Sequence, residues 1–245
     1  MFVAANWKMN LDKNSIFEFS KHLNNFKFSS EVEACIFPPM TYIDYLNSLI
    51  SKLPISVGGQ NCHYKKSGAY TGEVSPLFLK DTGCKYVIIG HSERRILNNE
   101  INDEIKLRAQ SAINSNLKVI LCVGENLIDH QKGSAFKFVE KQLLESLPDN
   151  FENLLIAYEP IWSIGTGKIP SVNVIEEMHQ HIKKFISKKT NKKVKVLYGG
   201  SVNIENINNI LNIVNVDGVL VGGSSLNVKD FLAIYSAAVK HLDKF

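Results

Sequence analysis

Short runs of uninterrupted apolar residues recur along the chain, and between them apolar positions return every three or four residues. The short runs are Phe2–Ala5, Glu33–Phe37, Ile55–Gly59, Tyr86–Ile89, Val119–Val123, Leu154–Tyr158, Val194–Tyr198 and Gly218–Val221. They lack the polar alternation of a strand with one wet face, so they predict strands buried on both faces, as in a parallel sheet. The intervening stretches Ile16–Leu23, Tyr42–Lys52, Glu100–Ser115, Ala135–Leu147, Val174–Lys188, Ile204–Leu211 and Val228–Leu242 carry the helical period. Eight strand candidates, each followed by helical or turn-rich sequence and with no Pro- or Ser-rich linker between them, predict one α/β domain over residues 1–245. At this length the pattern fits a single (β/α)8 barrel, with an open doubly wound sheet as the alternative.

Composition removes several function classes. Hydrophobic residues make up 44% of the chain and charged ones 21%, as suits a large core. A formal charge of +4 over 245 residues is mild, and no nucleic-acid partner is expected. The densest basic run, Lys188-Lys189 with Lys192-Lys193, falls where a helix ends, which is where cations suit the helix dipole. No window approaches the roughly 18 apolar residues of a membrane span. Met1–Lys8 lacks the basic and apolar regions of an export signal. Cys35, Cys62, Cys84 and Cys122 show no paired spacing, so a reducing, cytoplasmic setting is expected rather than a disulfide framework. His179 and His181 stand two apart, do not share a helix face, and support no metal site.

In a barrel, chemistry collects at the C-terminal ends of the strands. The sixth strand runs into Glu159, then Pro160, the aromatic Trp162 and a Gly165-Thr166-Gly167 tip. That order suits a catalytic base beneath a closing loop, although a solvated acid in a turn would look the same in isolation. The other mouths decide the matter. The first strand ends in Asn6-Trp7-Lys8, the fourth in Gly90-His91-Ser92-Glu93, the seventh in Gly199-Gly200-Ser201 and the eighth in Gly222-Gly223-Ser224. An acid, an imidazole, an ammonium and two glycine pairs thus converge on one rim.

Glycine lets backbone N–H groups approach an anion, and the loops after strands seven and eight of a barrel often hold phosphate. Gly167-Lys168 is followed by Ile169, and Trp162 stands five positions before Gly167, so there is no nucleotide P-loop. Gly165-Thr166-Gly167 also lacks the third glycine of a dinucleotide fingerprint. A substrate monophosphate fits better than a nucleotide. A carboxylate, an imidazole and an ammonium beside it suit proton transfer next to a carbonyl.

The chain resembles the triosephosphate isomerase family along essentially its whole length. The resemblance rests on 5–10, Gly59-Gln60-Asn61 with 68–73, 90–95, Cys122-Val123-Gly124-Glu125, 157–168, 197–202 and 217–226. It implies a TIM barrel that interconverts dihydroxyacetone phosphate and D-glyceraldehyde 3-phosphate through an enediolate, in glycolysis and gluconeogenesis, with no metal or organic cofactor. Carried over by position, Glu159 resembles the base and His91 the neutral electrophile, while Lys8 and Asn6 hold and polarise substrate. Gly165, Ser201, Gly222 and Gly223 resemble the groups that bind phosphate. Glu93 and Ser92 would support these residues from behind. Glu73 and Arg94 look like a structural ion pair, and Cys122 like a packing residue. Thr71, in the loop 68–73, would reach the site of a second subunit in a homodimer.

Three departures stand out. Ile169-Pro170 replaces the common Thr-Ala after the lid, Ser163 stands where alanine is usual, and Asn98-Asn99 replaces Phe-Gly. An isomerase of longer ketose phosphates and a non-catalytic binding barrel are the alternative functions. The presence of both the base and the lysine weighs against the second of these.

Overall fold

A computed structural model of the chain describes residues 1–164 and 169–243. Among these residues the eight strands are β1 (Phe2–Asn6), β2 (Glu33–Phe37), β3 (Ile55–Gly59), β4 (Tyr86–Ile89), β5 (Lys118–Val123), β6 (Leu154–Tyr158), β7 (Lys195–Tyr198) and β8 (Gly218–Val221). All pair in parallel with their sequence neighbours, and β1 pairs with β8 to close a barrel. The helices are α1 (Lys13–Asn24), α2 (Ile43–Ile50), α3 (Pro76–Asp81), α4 (Ser92–Leu97), α5 (Asn102–Asn114), α6 (Leu127–Gln131), α7 (Ala135–Ser146), α8 (Val172–Thr190), α9 (Ile207–Leu211) and α10 (Val228–Leu242). The (β/α)8 expectation holds and the doubly wound sheet falls, because an open sheet has no pairing between its first and last strands.

The continuous apolar character of the strands has a simple origin. Phe2 and Ala4 point into the barrel while Val3 and Ala5 face the helices, and both environments are dry. The interior is filled by pairing large with small residues. The Phe2 and Tyr86 rings meet at 5.0 Å, and a Cβ on Gly58 would sit 2.4 Å from the Phe37 ring. At the N-terminal end of the strands, the Tyr86 hydroxyl donates to the Glu33 carboxylate, and Lys118 Nζ donates to the Tyr86 hydroxyl at 3.0 Å. This polar plug closes the end opposite the strand mouths.

Three helices, α3, α4 and α6, were not expected from periodicity. Each is five or six residues long, too short to display a period. Their signal lies in their caps: Ser75 accepts from Leu77 N with Pro76 following, and Asn126 accepts from Asp129 N. Asn99, at a position where the family resemblance leads one to expect glycine, adopts a left-handed backbone (φ 54°), which asparagine tolerates better than most residues.

Helix α8 shows how a histidine joins a core. Ile175, Met178, His179, Ile182 and Ile186 form its buried face, whereas His181 turns aside to lie 3.0 Å from Glu140. His179 packs edge-on to Tyr158 at 5.9 Å, and its Nδ1 lies 3.2 Å from the Asn215 carbonyl, which makes Nδ1 the protonated nitrogen. Burial pulls its pKa from 6.5 down to about 4. Between those values the unfolded chain binds more protons than the folded one, so stability is full above pH 6.5 and is lost as the pH falls towards 4. In denaturant titrations between these limits, His179→Phe should flatten the pH dependence relative to the parent chain, at some loss of stability at neutral pH.

Candidate active site

The strand mouths surround one cavity of about 240 Å³, lined by Asn6, Lys8, His91, Glu159, Ser201, Gly222 and Gly223 and floored by Leu220. Seven residues expected at the site from sequence therefore meet in space. Gly165, the eighth, lies outside the described residues. Ile164 and Ile169, on either side of the undescribed 165–168, form part of the cavity rim.

Lys8 is held in an unfavourable backbone conformation. Its φ of 53° is left-handed, a strain that persists only where the surroundings over-determine it. Here they do. The Asn6 side chain accepts from Lys8 N at 3.0 Å, and Gln60 Nε2 donates to Lys8 O at 2.7 Å and to Phe37 O at 2.9 Å. Gln60 follows the end of β3, a position that the strand-mouth rule covers but that received no role from sequence. The ammonium of Lys8 lies 2.5 Å from Glu93 Oε1, as the expected placement of Glu93 requires. A Cβ on Gly222 would sit 3.4 Å from Lys8 Cε, so the ammonium stands against the glycine turn after β8.

His91 caps α4. Its Nδ1 accepts from Glu93 N at 3.2 Å, so Nδ1 is bare and the ring proton sits on Nε2. Nε2 lies 3.1 Å from Glu159 Oε1. That pair is close but poorly aligned, since Oε1 counts among the buried oxygens without a well-formed hydrogen bond. Glu159 itself is 1% exposed, and its Oε2 accepts from Ser92 N at 3.0 Å. Glu159 lies in a slot between two glycines, one against its backbone and one against its side chain. A Cβ on Gly124 would be 1.8 Å from the Glu159 carbonyl oxygen, and one on Gly199 would be 2.9 Å from Glu159 Cγ. Cys122, at the end of β5, is fully buried with its thiol pKa pushed well up by desolvation, as a packing residue should be.

Glu125 carries no role from sequence, yet it obeys the strand-end rule that singled out Glu159. It is fully buried beyond β5, and burial raises its pKa. Its Oε1 accepts from Trp162 Nε1 at 2.8 Å and from the Tyr158 hydroxyl at 3.1 Å. Ser163, the residue after Trp162, is buried, and its carbonyl accepts from Ser201 Oγ at 2.7 Å. Its hydroxyl and that of Tyr198 meet over Gly200, where a Cβ would be 2.6 Å and 2.2 Å from them. Burial pushes the Tyr198 phenol up to about 12. Pro170 is buried just ahead of Ser171, which caps α8, so it serves the start of that helix.

Within one chain Glu73 and Arg94 are apart: Arg94 Nε donates to Glu100 Oε1 at 2.7 Å, and Glu73 lies 3.8 Å from Arg108. Glu100 is buried and needs a cation, so it captures the guanidinium that lies six residues away. Thr71 sits in the exposed segment 65–73, away from the cavity lining.

Comparison with known proteins bears on the whole chain. The family model described as triosephosphate isomerase matches residues 1–238. Triosephosphate isomerase of Wolbachia sp. subsp. Brugia malayi (strain TRS) is 46% identical over 238 residues, 97% of each chain. The Zygosaccharomyces bailii enzyme of the same name is 42% identical over 232 residues, covering 92% of this chain and 93% of its own. That of Saccharomyces cerevisiae (strain ATCC 204508 / S288c) gives the same identity and coverage.

The glycine slot yields a test of its own. Gly199→Ala places a methyl group against the Glu159 side chain and little else, so the fold should survive while the carboxylate is displaced. A misplacement on the ångström scale lowers kcat about 10- to 100-fold. Steady-state kinetics beside a thermal melt would separate this outcome from simple destabilisation.

Proposed function

From the premise that the chain belongs to the triosephosphate isomerase family, and so interconverts dihydroxyacetone phosphate and D-glyceraldehyde 3-phosphate, we propose that Glu159 is its general base. Glu159 takes a proton from the carbon next to the substrate carbonyl, leaving an enediolate. It then returns the proton to the neighbouring carbon while the hydroxyl proton passes from the first carbon's oxygen to the second's, so atoms and charge balance without a redox partner. His91 donates its Nε2–H to the enediolate oxygens, and Lys8 faces the developing negative charge. Asn6 fixes Lys8 in its strained conformation. Ser201, Gly222, Gly223 and the lid residue Gly165 bind the phosphate.

The observation that carries this reading is the 3.1 Å approach of His91 to Glu159 at the edge of a cavity walled by two glycine turns. Closure of the 165–168 loop would exclude water from the enediolate; the triosephosphate isomerase lid is itself the standing example of such gating.

The reading extends to assembly and setting. The enzyme is a homodimer in which Thr71 of each protomer enters the rim of the other's site in an isologous contact. Support comes from apolar side chains left open near that rim: Met9 is 93% exposed and Leu97 75%. It works in the cytoplasm, serving glycolysis in one direction and gluconeogenesis in the other. Four buried cysteines, none in a disulfide, suit that compartment, and among the described residues no helix is long and apolar enough to cross a membrane.

Glu159→Gln tests the base. The amide is isosteric, so phosphate binding and fold should persist while kcat falls by about 10³, within the range for a positioned base. Near-normal turnover would remove Glu159 from the role. For assembly, light scattering should return close to twice the chain mass of 27.5 kDa. A monomer with full activity at assay concentration would overturn the shared site.

A further inference from the structure

The turn after β7, Gly199-Gly200-Ser201, lines the cavity beside Lys8 and Glu159. Groups outside the turn hold each of its residues. Gly199 N donates to Tyr158 O at 2.8 Å, and Ser201 O accepts from Asn206 Nδ2 at 3.0 Å. Ser163 supplies two more holds. Its carbonyl accepts from Ser201 Oγ at 2.7 Å. Its hydroxyl faces Gly200, where a Cβ would lie 2.6 Å from Ser163 Oγ and 2.2 Å from the Tyr198 hydroxyl. Both oxygens lie that close to one point, so they are neighbours packed over the same glycine.

The backbone of Ser163 is itself anchored. It closes the short 3-10 turn Ile161–Ser163, in which Ser163 N donates to Pro160 O at 2.9 Å and Ile161 N to Glu125 O at 3.0 Å. Glu159, two residues ahead of that turn, is fixed by its N–H donating to Val123 O at 2.8 Å. One short segment therefore carries the carboxylate at one end and the grip on the strand-seven turn at the other. Ser163 is completely buried, and a buried hydroxyl needs a partner. Among the described residues, neither its hydroxyl nor that of Tyr198 makes an aligned hydrogen bond. Each is the other's available partner, and the Ser163 hydroxyl opposes the upward push of burial on the phenol. Alanine, which the family resemblance leads one to expect here, would bring neither the contact over Gly200 nor a partner for Tyr198.

We propose that Ser163 is a positioning residue for the phosphate: its hydroxyl and carbonyl brace the strand-seven turn at a fixed spacing from Glu159, and the hydroxyl works as a pair with that of Tyr198. The proposal rests on the phosphate-binding role given to that turn above and deepens it. A brace that holds an anion site in its bound shape lowers the ordering cost of binding, so its loss weakens affinity.

Ser163→Ala should fold, because alanine is the residue expected at this position. Calorimetry with inorganic phosphate, which needs no turnover, should show its dissociation constant rise about three- to tenfold, the scale of one neutral hydrogen bond. KM for dihydroxyacetone phosphate should rise in parallel, with a smaller change in kcat. Tyr198→Phe should weaken phosphate binding by a similar factor, and combining it with Ser163→Ala should add little, since the two hydroxyls act as a unit. Unchanged phosphate affinity in Ser163→Ala, or losses that simply multiply in the double variant, would each overturn the brace. A parent chain that fails to bind phosphate would overturn the brace and the role of the turn together. A failed base assignment would show in the turnover of Glu159→Gln and leave the phosphate titration as expected.

Discussion

Closure of β1 against β8 is the constraint on which the site depends. Phe2 to Ala5 pair with Gly218 to Val221, which brings a cation eight residues into the chain against glycines more than two hundred residues later. The fit leaves no spare room: Gly218 is left-handed (φ 154°), and a Cβ on it would lie 2.0 Å from the Phe2 carbonyl oxygen. Just above, the indole of Trp7 donates to Ser225 O at 3.1 Å and sets the strand-eight turn beside Lys8. An ammonium whose backbone is strained and whose flanking groups come from β1, β3 and β8 cannot be positioned by local sequence. Only a completed barrel holds it.

Three buried carboxylates show how the protein separates structural acids from the reactive one. A carboxylate taken out of water costs several kcal/mol unless partners replace its hydration. Glu100 receives Arg94 at 2.7 Å and has Arg108 at 3.8 Å. Glu125 receives an indole N–H and a phenol. Glu159 receives one aligned backbone N–H and faces an imidazole that is near but misaligned. Among the described residues each of the three keeps one oxygen without a hydrogen bond, but of the three only Glu159 lines the strand-mouth cavity, where a proton-accepting group is needed.

Much of this could be read from the chain because barrel strands advertise themselves. The limits of β2, β3, β4, β6 and β8 agree with the apolar runs, and β1, β5 and β7 differ by a single residue at one end. Strand-end residues were legible for the same reason, since a carboxylate directly after Leu154–Tyr158 has one place to go. What escaped depends on partners distant in sequence. Gln60 matters because it grips a backbone 52 positions away, and Glu125 because an indole 37 positions away closes over it. The capture of Arg94 by Glu100 within the chain escaped too, because no residue pattern announces the burial of Glu100. Short helices held by caps instead of by an apolar stripe escaped as well.

The closure of the barrel also bears on how the protein is made. On the ribosome β1 emerges first, and it has β2 on one side long before β8 exists for the other. Until Gly218–Val221 leaves the tunnel, one edge of a growing parallel sheet stays open, with its N–H and C=O groups unpaired. Contacts that span nearly the whole chain form slowly, because the loop they close must first be brought together. Nascent chains are therefore exposed to misassociation for most of translation, and a ribosome that stalls late leaves a product with seven strands and no working site. Catalytic competence therefore waits for β8, the last strand of the barrel to be made.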